Sequence, residues 1–167
     1  MTAFFNAAEV YEMGEEIERN GDRFYRKAME FTSNTELRDM LGCLADQEKE
    51  HIALFRELRE KLPTEASSPS PLDDDDVSLY LQSLADSKVF KTSEDVDRVL
   101  GEAKTIEEIL DLALRFEKDS ILFFEWARDL TREDWGKEKI NALIEEEKKH
   151  IAQVGTCAVK AREGQYD

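Results

Sequence analysis

The chain has only two histidines, and each one closes a Glu-x-x-His frame that has a further glutamate thirty residues before the frame's own glutamate. These six residues are Glu18, Glu48, His51, Glu117, Glu147 and His150. Residues three apart on a helix lie on the same face, so each frame can offer a carboxylate oxygen and an imidazole nitrogen to one cation. Mixed oxygen and nitrogen ligands suit iron or manganese, and zinc competes through its high affinity.

The whole pattern occurs twice, 99 residues apart. Residues 16–55 align with residues 115–154 without a gap, and ten of the forty aligned positions are identical. We interpret this as a duplicated helical hairpin. Each half would supply one lone glutamate and one Glu-x-x-His frame.

Four long helices are predicted from apolar periodicity and from start signals. Their expected spans are 6–31, 33–62, 105–130, and a fourth from after Asp134 to before Gly164. Three starts carry a capping pair three residues apart: Asn6 with Glu9, Ser33 with Glu36, and Thr105 with Glu108. The joints inside each pair of helices are short, so each pair must form an antiparallel hairpin.

A long crossover joins the two predicted hairpins, 6–62 and 105–163. Residues 63–104 can span a helix of about 28 residues, which is roughly 42 Å long. Within the crossover, 77–90 and 93–103 are predicted as short helices. The expected architecture is therefore all-α: one domain over residues 1–167, built as a four-helix bundle.

All six residues fall on the helix stripes that face a bundle interior, in alternating steps of four and three. In each hairpin the two glutamates lie equally far from the turn, so they share a height along the bundle. Four buried carboxylates need cationic partners, and no lysine or arginine stands on these stripes near that height. Two divalent metal ions would offset the four negative charges. The sequence therefore predicts a two-metal site.

Other inward residues leave alternatives open. Tyr25 is a candidate catalytic residue beside the metals, or a core tyrosine whose hydroxyl finds a nearby acceptor; its repeat counterpart is Phe124. Three small inward residues either leave space for a small substrate or let helices approach closely. They are Gly14, Gly21 and Ser120.

Composition limits the classes of partner. A net charge of −16 argues against a nucleic acid, because phosphate binding needs clustered lysine and arginine. The charge serves solubility, or it raises the local concentration of metal cations. No segment suggests a signal peptide or a membrane span, so a cytoplasmic protein is expected. Cys43 and Cys157 lack metal or redox spacing and are expected to be core or helix-surface residues.

At these residues the chain resembles the rubrerythrin-like branch of the ferritin-like di-iron superfamily. The resemblance runs through Glu18-x-x-Gly21-x-x-Phe24-Tyr25, both Glu-x-x-His frames and Glu117-Lys118-Asp119-Ser120-Ile121. It implies a ferritin-like bundle with two iron ions, with Mn or Zn as alternatives. It also implies bridging roles for Glu48 and Glu147, terminal roles for Glu18 and Glu117, and one histidine for each metal. Family members reduce hydrogen peroxide or O2.

Two departures from the family shape the expectation. Typical rubrerythrins have another glutamate where this chain has Ser120. They also carry a rubredoxin domain with four cysteines, a set that this sequence lacks. The ligand set here is therefore symmetric, and electrons would come from an external donor protein. A homodimer is expected for this architecture. Alternatives are a ferritin-like or bacterioferritin-like ferroxidase, iron handling without turnover, or a structural bundle with a vestigial site.

Overall fold

The computed structural model describes residues 6–67 and 92–166. Five α-helices lie in these ranges, which contain no β-strand. The helices are α1 (Ala7–Ala28), α2 (Thr35–Glu60), α3 (Ser93–Glu102), α4 (Ile106–Leu130) and α5 (Lys137–Arg162). The all-α bundle prediction is confirmed, and α3 is the predicted short helix 93–103. The other predicted crossover helix, 77–90, lies outside the described residues.

Two helix starts follow the predicted capping pairs and one does not. Asn6 and Glu9 form a reciprocal capping box, and the Thr105 side chain accepts a hydrogen bond from the backbone of Glu108. The Ser33 prediction is wrong by one residue. The cap of α2 is Asn34, whose Oδ1 accepts the Leu37 backbone N–H at 3.0 Å. The Thr32 hydroxyl accepts the Asn34 backbone N–H at 3.1 Å, so the turn is fixed ahead of the cap.

Both hairpin turns are a few residues longer than predicted, and each contains a short 3₁₀ segment. Met29–Phe31 continues α1 as a 3₁₀ turn, and Glu133–Trp135 precedes α5. Gly136, the N-cap residue just before α5, has a φ of 104°, a left-handed conformation that favours glycine. A Cβ there would lie 2.3 Å from Cδ2 of Leu58, so this position has no room for a side chain.

The two hairpins pack with their turns at opposite ends of the bundle. At one end the Tyr11 hydroxyl near the start of α1 donates a 2.8 Å hydrogen bond to the carbonyl oxygen of Trp135 in the α4–α5 turn. At the other end Lys160 near the end of α5 pairs with Glu36 at the start of α2. The end of α2 and the start of α4 therefore lie at opposite ends, and the crossover must run the length of the bundle.

The core follows the predicted inward stripes. The predicted stripes step by four and three along each helix from the four glutamates, and their members are buried except the outermost two, Ala7 and Leu62, which are half-buried. Phe55 of α2 packs on Phe124 of α4 with ring centroids 5.3 Å apart, which joins the hairpins across the interior. This apolar packing surrounds the glutamates and histidines at mid-bundle.

Two observations bear on the remaining sequence-based expectations. Cys43 is exposed on α2 and Cys157 is buried on α5, which gives one surface and one core position. Within the described residues, no helix has the length and apolar composition needed to cross a membrane.

A buried ion pair helps to join α1 to α2. Glu15 of α1 is buried beneath Arg56 of α2, whose Nη2 lies 2.8 Å from Glu15 Oε1.

Candidate metal centre

All six residues singled out in the sequence meet at the centre of the bundle. Their exposed fractions are between 0% and 4%, so the cluster is sealed from bulk water. Helices α1 and α4 each supply a lone glutamate, and α2 and α5 each supply a Glu-x-x-His frame. The helix period places both members of each frame on the inward face. Their role as metal ligands stays a prediction.

The cluster divides into two overlapping groups of potential ligands. The first group is Glu18, Glu48, His51 and Glu147, and the second is Glu48, Glu117, Glu147 and His150. In each group, one ligand atom per residue lies within 4.8 Å of all the others. Glu48 and Glu147 belong to both groups, and these are the two residues for which the family resemblance implies a bridging role.

The two imidazoles face the carboxylates through the same ring nitrogen. His51 Nδ1 lies 2.9 Å from Glu147 Oε1 and 3.5 Å from Glu18 Oε2. His150 Nδ1 lies 3.1 Å from Glu147 Oε2 and 3.3 Å from Glu48 Oε1. The two rings stack with centroids 5.6 Å apart. Both Nδ1 atoms are therefore the nitrogens available to cations held among the carboxylates.

Burial is the main electrostatic cost of the cluster. It raises the pKa of Glu18, Glu48 and Glu117 well above the ordinary carboxyl value, and repulsion from neighbouring carboxylates adds to the rise. In the absence of cations, these shifts favour the protonated form of the three carboxyl groups.

The pKa values of Glu147 and His51 shift in the directions expected of an ion pair. Burial alone would raise the pKa of Glu147, but the close imidazoles of His150 and His51 lower it below the ordinary value. Burial alone would lower the pKa of His51, but the close Glu147 carboxylate and the charges of Glu147 and Glu48 raise it to about 9. Without metal, protonated imidazoles are the cations nearest to the carboxylates.

Among the described residues, many polar atoms of the cluster lie close together but are not aligned as hydrogen bonds. Buried atoms without a hydrogen-bond partner include both carboxylate oxygens of Glu48, one oxygen each of Glu18, Glu117 and Glu147, and Nδ1 of both histidines. Among the described residues, no lysine or arginine forms an ion pair with the four glutamates. Buried polar atoms are normally satisfied, so these unpaired atoms fit a site for bound cations.

The small inward residues allow close packing and leave no open space over the glycines. A Cβ on Gly21 would lie 2.8 Å from Glu48 Oε2 and 2.9 Å from Phe116 Cε1. A Cβ on Gly14 would lie 2.6 Å from the Phe55 ring. Ser120 donates its hydroxyl hydrogen to the Phe116 carbonyl oxygen at 2.9 Å. Of the two alternatives, the geometry favours close helix approach.

Tyr25 lies within the cluster. Its side chain is fully buried, and its hydroxyl donates a hydrogen bond to Glu117 Oε1. Burial and the neighbouring carboxylates raise the pKa of Tyr25 well above its ordinary value, so the hydroxyl keeps its proton. The counterpart Phe124 has no hydroxyl to offer to Glu18, so the two halves of the cluster differ here.

Sequence analysis missed Glu146. Its Oε2 accepts a 2.9 Å hydrogen bond from Nε2 of His51, and its side chain is 49% exposed. Its repeat counterpart is Gln47, so the duplication carries no signal for this contact. The partner histidine belongs to the other hairpin, and only the packing of the two hairpins brings them together.

Comparison with known proteins supports the fold. No protein-family model and no curated protein sequence matches the chain. Its structure is similar to a crystal structure from Thermotoga maritima, provisionally described as a ferritin-like diiron-carboxylate protein. The TM-score is 0.70 at 22% identity, over 96% of this chain and 99% of that chain. The protein therefore has the ferritin-like fold, and its buried glutamates and histidines fit a site for two metal ions.

Proposed function

We propose that the protein is a rubrerythrin-like di-iron oxidoreductase that reduces hydrogen peroxide or O2 with electrons from an external donor protein. The observation that carries the proposal is the pair of overlapping ligand groups that share Glu48 and Glu147. Shared carboxylates between two sets of ligands are what a pair of adjacent metal ions requires.

Iron is the proposed metal because of the donor set. Each group offers three carboxylates and one imidazole, a mixture that suits iron or manganese. Two divalent ions would balance the four glutamate charges and leave both histidines neutral. Zinc would also bind, because its affinity rank is high, but it has no redox chemistry.

The four glutamates and Tyr25 would have different roles at such a site. Glu18 and Glu117 would each hold one metal at the outer side, while Glu48 and Glu147 would hold both. A bound pair of iron ions would supply the two electrons that reduce peroxide to water. Tyr25 is a positioning residue in this proposal, because its hydroxyl restrains the Glu117 carboxylate.

The surrounding core would protect the chemistry from bulk water. The Phe55 and Phe124 rings pack together on the inner face of the bundle, and all six proposed ligands are nearly inaccessible. A small oxidant such as peroxide or O2 suits so closed a site better than a bulky organic substrate. Electrons would then have to come from a donor that docks outside the bundle.

The direct test is anaerobic loading of chelator-treated protein with two ferrous ions per chain, followed by peroxide. We expect rapid oxidation with a ferric absorption band, followed by renewed turnover when a chemical reductant is added. The His51→Ala and Glu147→Ala variants should lose metal and nearly all of this activity. Oxidation no faster than that of ferrous ion in buffer would contradict the proposal.

A second candidate is a ferritin-like or bacterioferritin-like ferroxidase, or an iron-handling protein without catalytic turnover. The symmetric ligand set favours it, because Ser120 stands where typical rubrerythrins have a further glutamate. Light scattering on metal-loaded protein separates the two, because iron storage requires a hollow shell of many subunits. A homodimer, the assembly we propose, cannot enclose mineral. A stable bundle that binds no metal would instead indicate a vestigial site.

A further inference from the structure

The two halves of the cluster have the same proposed ligands but different outer contacts. Glu18 and His51 complete the first ligand group, while Glu117 and His150 complete the second. The differences lie in the hydrogen bonds that these four side chains make with residues outside the two ligand groups. If the halves were equivalent, each outer contact would recur after 99 residues, and neither does.

The first difference concerns the histidines. A carboxylate only accepts hydrogen bonds, so the contact with Glu146 requires the proton of neutral His51 to be on Nε2. The lone pair is then on Nδ1, the nitrogen that faces the carboxylates. His150 Nε2 is buried and has no hydrogen-bond partner among the described residues, so no such bond fixes its tautomer. Gln47, the counterpart of Glu146, carries no charge and makes no hydrogen bond to this nitrogen.

The second difference concerns the lone glutamates. Glu117 Oε1 accepts a hydrogen bond from the Tyr25 hydroxyl, which withdraws electron density from that carboxylate. Glu18 receives no such bond from Phe124, and within the described part of the chain its Oε1 is buried without a hydrogen-bond partner. Its carboxylate is therefore the stronger donor to a cation. Both differences favour cation binding in the same half of the cluster, the half that contains Glu18 and His51.

We propose that Glu146 is a positioning residue that orients His51 and makes the two metal positions unequal, so that the Glu18–His51 position binds a divalent cation first. A carboxylate behind a ligating histidine fixes the ring and raises its basicity, and its loss typically weakens binding about 10- to 100-fold. The inference rests on the proposed two-metal site and adds an order of loading to it.

The test is a titration of chelator-treated protein with Co²⁺, followed by visible absorption and calorimetry. We expect two separate binding steps in the wild type. Glu146→Ala should weaken the first step by about tenfold or more and bring the two steps together. Glu145→Gln is the matched control, because Glu145 is an exposed neighbour that pairs with Lys148 and should leave both steps unchanged.

Two further measurements locate the tighter position. Crystals grown with one equivalent of Co²⁺ should show anomalous density between Glu18 and His51, with less between Glu117 and His150. Gln47→Glu introduces a carboxylate at the repeat position of Glu146, and we expect it to strengthen the second step. Circular dichroism on every variant confirms that the bundle is folded.

The outcomes separate this inference from the proposed function. Two bound ions per chain in equal steps that Glu146→Ala does not change would overturn the inference and leave the two-metal site intact. First density at the Glu117–His150 position would overturn it as well. Binding of no metal at all would instead contradict the proposed function.

Discussion

The Tyr25 hydroxyl on α1 donates a hydrogen bond to Glu117 on α4, so one buried contact joins the two hairpins through a proposed metal ligand. Both side chains are fully buried. The contact has no counterpart in the other half of the repeat, because Phe124 occupies the place equivalent to Tyr25. The two halves of the repeat therefore have the same proposed ligands, but the residues that hydrogen-bond to those ligands differ.

Removal of this hydroxyl should alter the chemistry without emptying the site. We expect Tyr25→Phe to retain two metals per chain, because Glu117 keeps both of its carboxylate oxygens, and to change the oxidation rate. Metal analysis and stopped-flow absorption measure the two effects. Tyr11→Phe is the control, since its hydroxyl bonds the Trp135 carbonyl oxygen away from the cluster. That variant should lose about 1 kcal/mol of stability and no activity.

Gly21 should be essential to the position of Glu48. In Gly21→Ala the new methyl would meet the Glu48 carboxylate at 2.8 Å and the Phe116 ring at 2.9 Å, so both must move. We expect a loss of about 1–3 kcal/mol in unfolding free energy from overpacking. Metal affinity should fall about tenfold or more, because a proposed bridging ligand is displaced. Unfolding titrations with and without metal measure both losses.

Gly155 provides the matched control for that experiment. It lies within α5, and a Cβ there would meet no atom within 4 Å. Gly155→Ala should therefore stabilise the protein by about 0.5–1 kcal/mol through the helix preference of alanine, with metal affinity unchanged. If Gly21→Ala behaved in the same way, the proposed contact with Glu48 would be wrong.

The sequence was sufficient to predict which side chains meet, for a physical reason. A helical period fixes the inward stripes, and two stripe glutamates equally far from a short turn must lie at one height. Burial of four charges then demands a cation. This logic placed Glu48 and Glu147 together at mid-bundle, as the structure does.

Contacts that depend on how the hairpins pack could not be predicted. Glu146 reaches a histidine of the other hairpin, and its exposed position gives no periodic signal. For Gly21 the sequence left open a choice between space for a small substrate and close helix approach, whereas the structure fills the place of its side chain with Glu48 and Phe116. The Asn34 cap was missed because Ser33 and Glu36 offered an equally good local pattern one residue earlier.

Metal-free protein should lose stability as the pH rises. The pKa values of Glu18, Glu48 and Glu117 are raised by burial, so the folded state binds more protons than the unfolded state above the ordinary carboxyl range. His51, with a pKa raised to about 9, acts in the same direction, and its contribution is lost as the pH rises through that value. Glu147 has a lowered pKa and stays ionised across this range.

Thermal unfolding of chelator-treated and metal-loaded protein between about pH 5.5 and about pH 8.5 tests this sign. We expect the melting temperature of the metal-free form to fall by about 2–4 °C for each kcal/mol lost. The loaded form should not fall in the same way, because bound cations replace the protons and bind better as the ligands deprotonate. Parallel curves for the two forms would count against a buried cation site.

Glu48 and Glu18 should differ in how many metals their loss affects. Glu48 belongs to both ligand groups and Glu18 to one, so Glu48→Gln should weaken both Co²⁺ binding steps while Glu18→Gln weakens one. Both changes replace a buried carboxyl group, which must bind a proton to be neutral, with an amide that is always neutral, so each metal-free variant should melt at a higher temperature than the wild type near neutral pH. The exposed Glu50→Gln variant is the control and should change neither property. Equal effects of Glu48→Gln and Glu18→Gln on the two binding steps would refute the bridging role, because the higher melting temperature alone requires only a buried carboxylate.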